Sequence, residues 1–269
     1  MPTVADVREK AGDEPITMLT AYDAPTAAMV EEAGIDVVLV GDSVGNTTLG
    51  YESTLPVTAA DIRRHTGAVS RATEEVLVVA DMPFLSFGVD RSESIHTAGR
   101  MLKEADADAV KLESGEHTVE LTERLTAIGI PTMAHLGLTP QHVNQLGGFH
   151  RQGTSEAAAE RILELARAHE TAGAFSLVLE HVPANLARAV TEAIEIPTIG
   201  IGAGPHTDGQ VLVVDDVVGL SERPPPFAER FGDVRSEAEA AIEGFKSAVD
   251  SGRFPADEHG HVEEDLEGL

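Results

Sequence analysis

Short apolar runs, each followed by a longer stretch with one polar face, recur along the whole chain and constrain its fold more than any other feature. Eight runs read as strands: 16–20 (ITMLT), 37–41 (VVLVG), 76–80 (VLVVA), 109–112 (AVKL), 131–134 (PTMA), 176–179 (SLVL), 197–201 (PTIGI) and 210–214 (QVLVV). Their apolar character is continuous, not alternating, and several are β-branched, as in parallel strands covered on both faces. Helix-like stretches lie near 24–33, 58–73, 91–105, 117–128, 155–172 and 183–194. Thr58 stands three residues before Asp61, and Ser155 opens a Glu- and Ala-rich run, as helix N-caps do. Gly34, Gly129 and Gly173 sit just past helical periods, where C-cap glycines sit.

Eight such repeats without a break in composition predict an α/β protein, one closed (β/α)8 TIM barrel domain over 1–269. A doubly wound open sheet is the alternative. No helix signature separates the seventh run from the eighth. Residues 42–57 and 137–154 read as long loops, and 221–226 (SERPPP) as an extended break. A C-terminal helical extension is expected at 235–250, with an acidic, frayed tail from about 255.

Composition narrows the partners. The chain has 46 acidic and 19 basic residues, a formal charge of −27. Such a surface repels nucleic acid and anionic lipid, so neither is an expected partner. The recurring apolar runs argue against a disordered acidic chain. What remains is a folded protein with a dense negative surface, as in adaptation to high salt, where screening is short-ranged; an ordinary acidic protein is the other reading. Cysteine is absent, which removes disulfides, thiolate metal sites and a cysteine nucleophile. The N-terminal segment has no basic and apolar leader pattern, and no apolar run approaches ~20 residues, so a cytoplasmic location is expected.

In a (β/α)8 barrel the active site lies at the C-terminal ends of the strands. One residue or so past each apolar run stand Asp23, Asp42 with Ser43, Asp81, Lys111 with Glu113, His135 and Glu180. Any one strand-end carboxylate in so acidic a chain could simply cap the next helix, and for Asp23 both readings stay open. Two carboxylates on neighbouring strands, Asp42 and Asp81, suit Mg²⁺, which takes few protein ligands. Lys111 is one of only four lysines, yet it lies in a buried-type strand. Desolvating an ammonium requires a partner, so it either pairs with a neighbour such as Glu113 or holds an anionic substrate; a Schiff base is a third option. Spaced by two, Lys111 and Glu113 face the same side of their strand. His135 is either a structural hydrogen-bonder or a pocket group, and Glu180 either a general base or an arginine's partner. The remaining histidines read as surface or helix residues. Gly200-Ile201-Gly202-Ala203-Gly204 lacks the spacing of a dinucleotide loop and reads as a tight turn that lets substrate approach the backbone.

Eight ordered segments carry a resemblance. They are Thr20-Ala21-Tyr22-Asp23, Gly41-Asp42-Ser43-Val44-Gly45, Ser53-Thr54-Leu55-Pro56-Val57-Thr58, Ala80-Asp81-Met82-Pro83-Phe84, Lys111-Leu112-Glu113, His135-Leu136-Gly137-Leu138-Thr139-Pro140, Leu179-Glu180 with Val182-Pro183, and Ile199 to Gly204. From about residue 5 to 250 the chain resembles the ketopantoate hydroxymethyltransferase family. The resemblance implies a decameric (β/α)8 barrel that moves a one-carbon unit from 5,10-methylenetetrahydrofolate, or a related pterin, to 3-methyl-2-oxobutanoate. The product is 2-dehydropantoate, a precursor of pantothenate and coenzyme A. By motif, Asp42 and Asp81 would bind Mg²⁺, with Glu113 in or just outside its shell. Ser43 and Lys111 would hold the substrate carboxylate, His135 would orient substrate, and Glu180 would accept the proton. Residues 220–227 and the pairs Gln145-Leu146 and Phe149-His150 depart from the family pattern. Other Mg²⁺ barrels acting on α-keto acids, the phosphoenolpyruvate mutase and isocitrate lyase type, typically carry a catalytic cysteine that this chain lacks.

Overall fold

In the computed structural model, which describes residues 2–263, all eight apolar runs are strands of one closed parallel barrel, with β8 paired back to β1. The strands are β1 (Ile16–Thr20), β2 (Val37–Val40), β3 (Leu77–Asp81), β4 (Ala109–Glu113), β5 (Thr132–Gly137), β6 (Ser176–Glu180), β7 (Thr198–Ile201) and β8 (Gly209–Leu212). The helices are α1 (Val4–Glu9), α2 (Ala24–Glu32), α3 (Val44–Thr47), α4 (Ala59–Ser70), α5 (Arg91–Ala105), α6 (Val119–Ala127), α7 (Val143–Leu146), α8 (Glu156–Thr171), α9 (Ala184–Thr191), α10 (Val214–Val218) and α11 (Val234–Asp250).

Chain contacts divide the described residues into two compact units. Residues 2–214 with 226–228 form the barrel unit, and 215–225 with 229–263 form a second unit containing α11. The last stretch of the acidic tail, 264–269, lies outside the described residues, as does Met1.

Helix ends follow the local chemistry. Thr58 and Asp61 form a reciprocal capping box on α4, and Ser155 caps α8 by accepting from the Ala158 N–H. Gly34, Gly129 and Gly173 all have positive φ, between 76° and 92°. Asp23 resolves to the cap reading, since its side chain accepts from the Thr26 N–H at 2.8 Å. The β7–β8 connection holds no helix, in keeping with the missing signature. The two long loops carry short helices that the sequence does not announce, α3 in the first and α7 in the second.

Inside the barrel, positions spaced by two point inward. Leu77 and Val79 of β3, Ala109 of β4, Met133 of β5 and Val178 of β6 join one buried cluster. Val7 of α1 belongs to the same cluster. Two residues further on, the same inward rows become Asp81, Lys111, His135 and Glu180. The apolar half of each row stabilises the barrel, at ~1.5–3 kcal/mol for each fully buried large aliphatic side chain. The polar half is delivered to the C-terminal mouth. Outward positions of β5 and β6 (Ala134, Leu136, Leu177, Leu179) pack with Ile162 and Ala166 of α8 and Leu186, Ala187 and Val190 of α9. No helix of the described residues is long and apolar enough to cross a membrane.

Candidate active site

Strand register decides which polar side chains meet. Asp81 of β3 lies opposite Lys111 of β4, and Glu113 lies opposite His135 of β5. At the mouth these strand ends line a cavity of about 160 Å³ together with Asp42, Ser43 and Glu180. All seven site residues expected from the sequence therefore share one cavity. It is small beside the ~300–1,000 Å³ pockets that take drug-sized ligands, and Phe149 lies at its edge.

Charge organises the floor. Lys111 Nζ pairs with Asp81 Oδ1 at 2.9 Å and lies 3.4 Å from His135 Nδ1. Burial opposes the ammonium, but Asp81, Asp42 and Glu113 together outweigh it and hold the lysine pKa above its ordinary value. The neighbour that pairs with the lysine is thus Asp81, on the adjacent strand, and not Glu113, the example the sequence offered. Burial, then the Asp81 and Glu113 charges, push Asp42 up. Glu113 is also pushed up, by burial first and then by Asp81. Asp42, Asp81 and Glu113 are buried against the single Lys111 ammonium, an excess of two negative charges when all are ionised.

An ammonium can only donate, so His135 Nδ1 is the acceptor in that contact and Nε2 carries the proton. Nε2 approaches Glu180 Oε2 at 3.2 Å, close but poorly aligned for a hydrogen bond. Burial, reinforced by Lys111, lowers the His135 pKa and keeps the ring neutral near pH 7. Asp81, Lys111, His135 and Glu180 thus form one polar line across four adjacent strands. Ser43 Oγ is 2.8 Å from the Tyr22 hydroxyl, and the Asp42 N–H donates to Asp81 Oδ2 at 3.1 Å.

Three residues near this site were not singled out by the sequence. Gln141 donates from its side chain to Asp42 Oδ2 and from its backbone to Glu113. Tyr22 braces Ser43 from the end of β1. His142, read as an ordinary surface or helix histidine, brings Nδ1 to 3.6 Å from Glu113. The only signal for the first two was their place in the motifs, since Gln141 directly follows Pro140 and Tyr22 lies within Thr20-Ala21-Tyr22-Asp23 without a role assigned to it. The glycine run at the end of β7 has a packing role that the sequence did not show. A Cβ at Gly202 would stand 2.7 Å from the Phe227 ring, and one at Gly204 2.5 Å from Ala184 Cβ. Both have positive φ, as in the expected tight turn, and they admit neighbouring side chains of the barrel unit.

A model of the ketopantoate hydroxymethyltransferase family matches residues 2–257. The chain belongs to this family. Relatives named 3-methyl-2-oxobutanoate hydroxymethyltransferase include one from Natronomonas pharaonis, 69% identical over 264 residues and covering 98% of each chain. Another, from Halobacterium salinarum, is 66% identical over 274 aligned positions and covers 100% of both chains. One from Pyrobaculum calidifontis is 49% identical, covering 96% of this chain and 97% of its own. The protein is accordingly an enzyme of the ketopantoate hydroxymethyltransferase family. Among solved structures, a phosphonopyruvate hydrolase complex with oxalate and Mg²⁺ superposes with a TM-score of 0.63 at 12% identity, covering 99% of this chain and 94% of that one. A 2,3-dimethylmalate lyase of the phosphoenolpyruvate mutase/isocitrate lyase superfamily gives 0.60 at 17%, covering 99% and 92%. At such identities these two show the shared barrel alone.

Proposed function

We propose that this enzyme transfers a hydroxymethyl group to 3-methyl-2-oxobutanoate, giving 2-dehydropantoate, with 5,10-methylenetetrahydrofolate or a related pterin as the one-carbon donor and Mg²⁺ as cofactor. Family membership and the relatives' names support the acceptor. The observation that carries the chemistry is Glu180, a half-buried carboxylate backed by a neutral histidine, in a cavity whose floor holds one buried ammonium among three buried carboxylates.

The donor set fits a hard dication. Three carboxylates exceed the lysine by two charges, and the Lys111 ammonium at 2.9 Å is the charge partner of Asp81 Oδ1, which is otherwise buried without a well-aligned hydrogen-bond donor. Among the described residues no three acidic or histidine side chains form a ready-made metal cage. Mg²⁺ needs no such cage, since it binds through one or two carboxylates and leaves places for substrate oxygens and water. Asp42 and Asp81 would hold it, with Glu113 beside them; when bound, it supplies neutralisation for negative charge developing on the keto oxygen.

The chain's own groups account for the rest. Lys111 and Ser43 hold and orient the substrate carboxylate, the ammonium offsetting its charge. Glu180 accepts the proton from C3, the carbon bearing two methyl groups. His135 sets the direction of the Glu180 carboxylate through Nε2. The electron pair left at C3 forms the new carbon–carbon bond to the donor's methylene carbon, whose two bonds to pterin nitrogens break; water supplies the hydroxyl group of the product, and the C3 proton with the remaining water proton ends on the two nitrogens of the departing pterin.

Glu180→Gln tests the base. Exchange of the C3 proton of 3-methyl-2-oxobutanoate into D₂O should fall by about 10²–10⁴-fold, the range a positioned base contributes, while substrate still binds. Exchange at the unmodified rate would place the base elsewhere.

A further inference from the structure

We propose that Gln141 is a positioning residue for the divalent-cation site, selecting which carboxylate oxygens Asp42 and Glu113 present to the cavity. The proposal rests on the cation reading above.

The three buried acids arrive from three different strand ends, and a single residue of the loop after β5 reaches two of them. Gln141 is 4% exposed. Its Nε2 donates to Asp42 Oδ2 and to the Met82 carbonyl, both at 3.0 Å, which uses both amide hydrogens. Its backbone N–H points between the two Glu113 oxygens, at 3.1 and 3.0 Å. Asp81 is held in a parallel way, its Oδ2 accepting from the Asp42 N–H. Both aspartates thus have Oδ2 engaged by a neutral donor; Asp42 is left with Oδ1 to offer, while Asp81 Oδ1 faces the Lys111 ammonium at 2.9 Å. Glu113, gripped through both oxygens by one N–H, is held back as an outer partner.

The choice of glutamine has a physical reason. A neutral amide orients a carboxylate without cancelling its charge. Arginine or lysine here would remove part of the negative excess that attracts a dication, and a fourth carboxylate would repel Asp42. Partners behind the ligands of a metal commonly change affinity by about 10–100-fold when removed.

The test uses the full chain and Mn²⁺ as probe, with free Mn²⁺ read by electron paramagnetic resonance. Gln141→Met keeps the side-chain volume and the backbone N–H but removes both amide donors. The expected result is a Kd for Mn²⁺ raised about 10–100-fold, with the C3 exchange rate recovering toward the unmodified value at saturating Mg²⁺. In an Asp42→Asn background the same substitution should change Mn²⁺ affinity little further, because its partner is already altered. Circular dichroism establishes that each variant is folded. If Gln141→Met does not fold, Gln141→Ala, which leaves room for water to satisfy Asp42 and Met82, is measured the same way. A folded variant with unchanged Mn²⁺ affinity overturns the proposal, since a purely structural glutamine would alter stability and leave the Kd alone. An unmodified chain that binds no Mn²⁺ at millimolar concentration overturns the cation reading itself, and the proposal with it.

Discussion

Lys111 shows how one residue's environment sets the chemistry around it. An isolated ammonium in this barrel would lose its proton to escape desolvation; here three carboxylates hold the charge in place. Asp42 and Glu113 have folded-state pKa values raised above their ordinary 3.8 and 4.5, by burial first and like charge second. A raised pKa means that the stability these groups allow is fully present below the unfolded value and is lost as pH rises through the folded one. A bound dication needs their ionised forms and compensates that loss. Millimolar Mg²⁺ should therefore raise the melting temperature more at about pH 8 than at about pH 5, where protons compete for the same oxygens. An increment that is equal at both pH values, measured by calorimetry, would contradict the coupling. Lys111 was legible in the sequence because lysine is rare in this chain and rarer still inside an apolar strand. Gln141 and Tyr22 were not, because a neutral polar residue in a loop carries no such contrast.

Between elements, β5 and β6 show how a strand end becomes part of a mechanism. Gly137 closes β5 with φ of 97° and pairs with Glu180 in the ladder. A Cβ there would stand 2.2 Å from the Glu180 carbonyl oxygen and 2.8 Å from Val182 Cγ1, and the former is backbone that cannot rotate away. Gly137→Ala must push the two strand ends apart and move Glu180 with them. Displacement of a reacting group by about 1 Å costs on the order of 10²-fold, so kcat/KM should fall by at least that much in a protein that remains folded. A fall of less than about tenfold would show that the strand ends tolerate the extra methyl. The long periodic elements were legible, since 58–73 and 155–172 carry helical periods and caps, and the structure forms α4 and α8 there. The four-residue helices α3 and α7 were not, because a single turn has no period to read. The glycines after β7 were only half legible for a related reason: their spacing marks a close approach, and only the folded chain shows that Phe227 and Ala184 approach there.

At the scale of the whole molecule, charge dominates. Forty-six acidic residues cannot all pair with 19 basic ones, and many of the pairs that form, such as Arg100–Glu104 and Lys246–Asp250, are exposed. Exposed pairs contribute ~0–1 kcal/mol each, too little to offset the self-repulsion of a chain carrying −27. Salt relieves that repulsion, as the screening length falls from ~10 Å at 0.1 M to ~3 Å at 1 M. The melting temperature should climb steeply between low and molar KCl, by about 10 °C if screening restores a few kcal/mol. A flat response would count against salt adaptation. By itself the sequence determined the eight β-strand and helix repeats, with a closed barrel preferred over an open sheet, the strand ends as the place for polar groups, and seven of the side chains that line the cavity there. Those follow from local signals, namely apolar run length, the two-residue alternation along strands and the position of each charge at a strand end. Tertiary structure alone decided who meets whom. It set Asp81 against Lys111, turned the His135 Nε2 toward Glu180, and brought Gln141 to Asp42 across 99 positions of chain. Ladder register and loop closure are contacts between distant segments, and no property of either segment taken alone contains them.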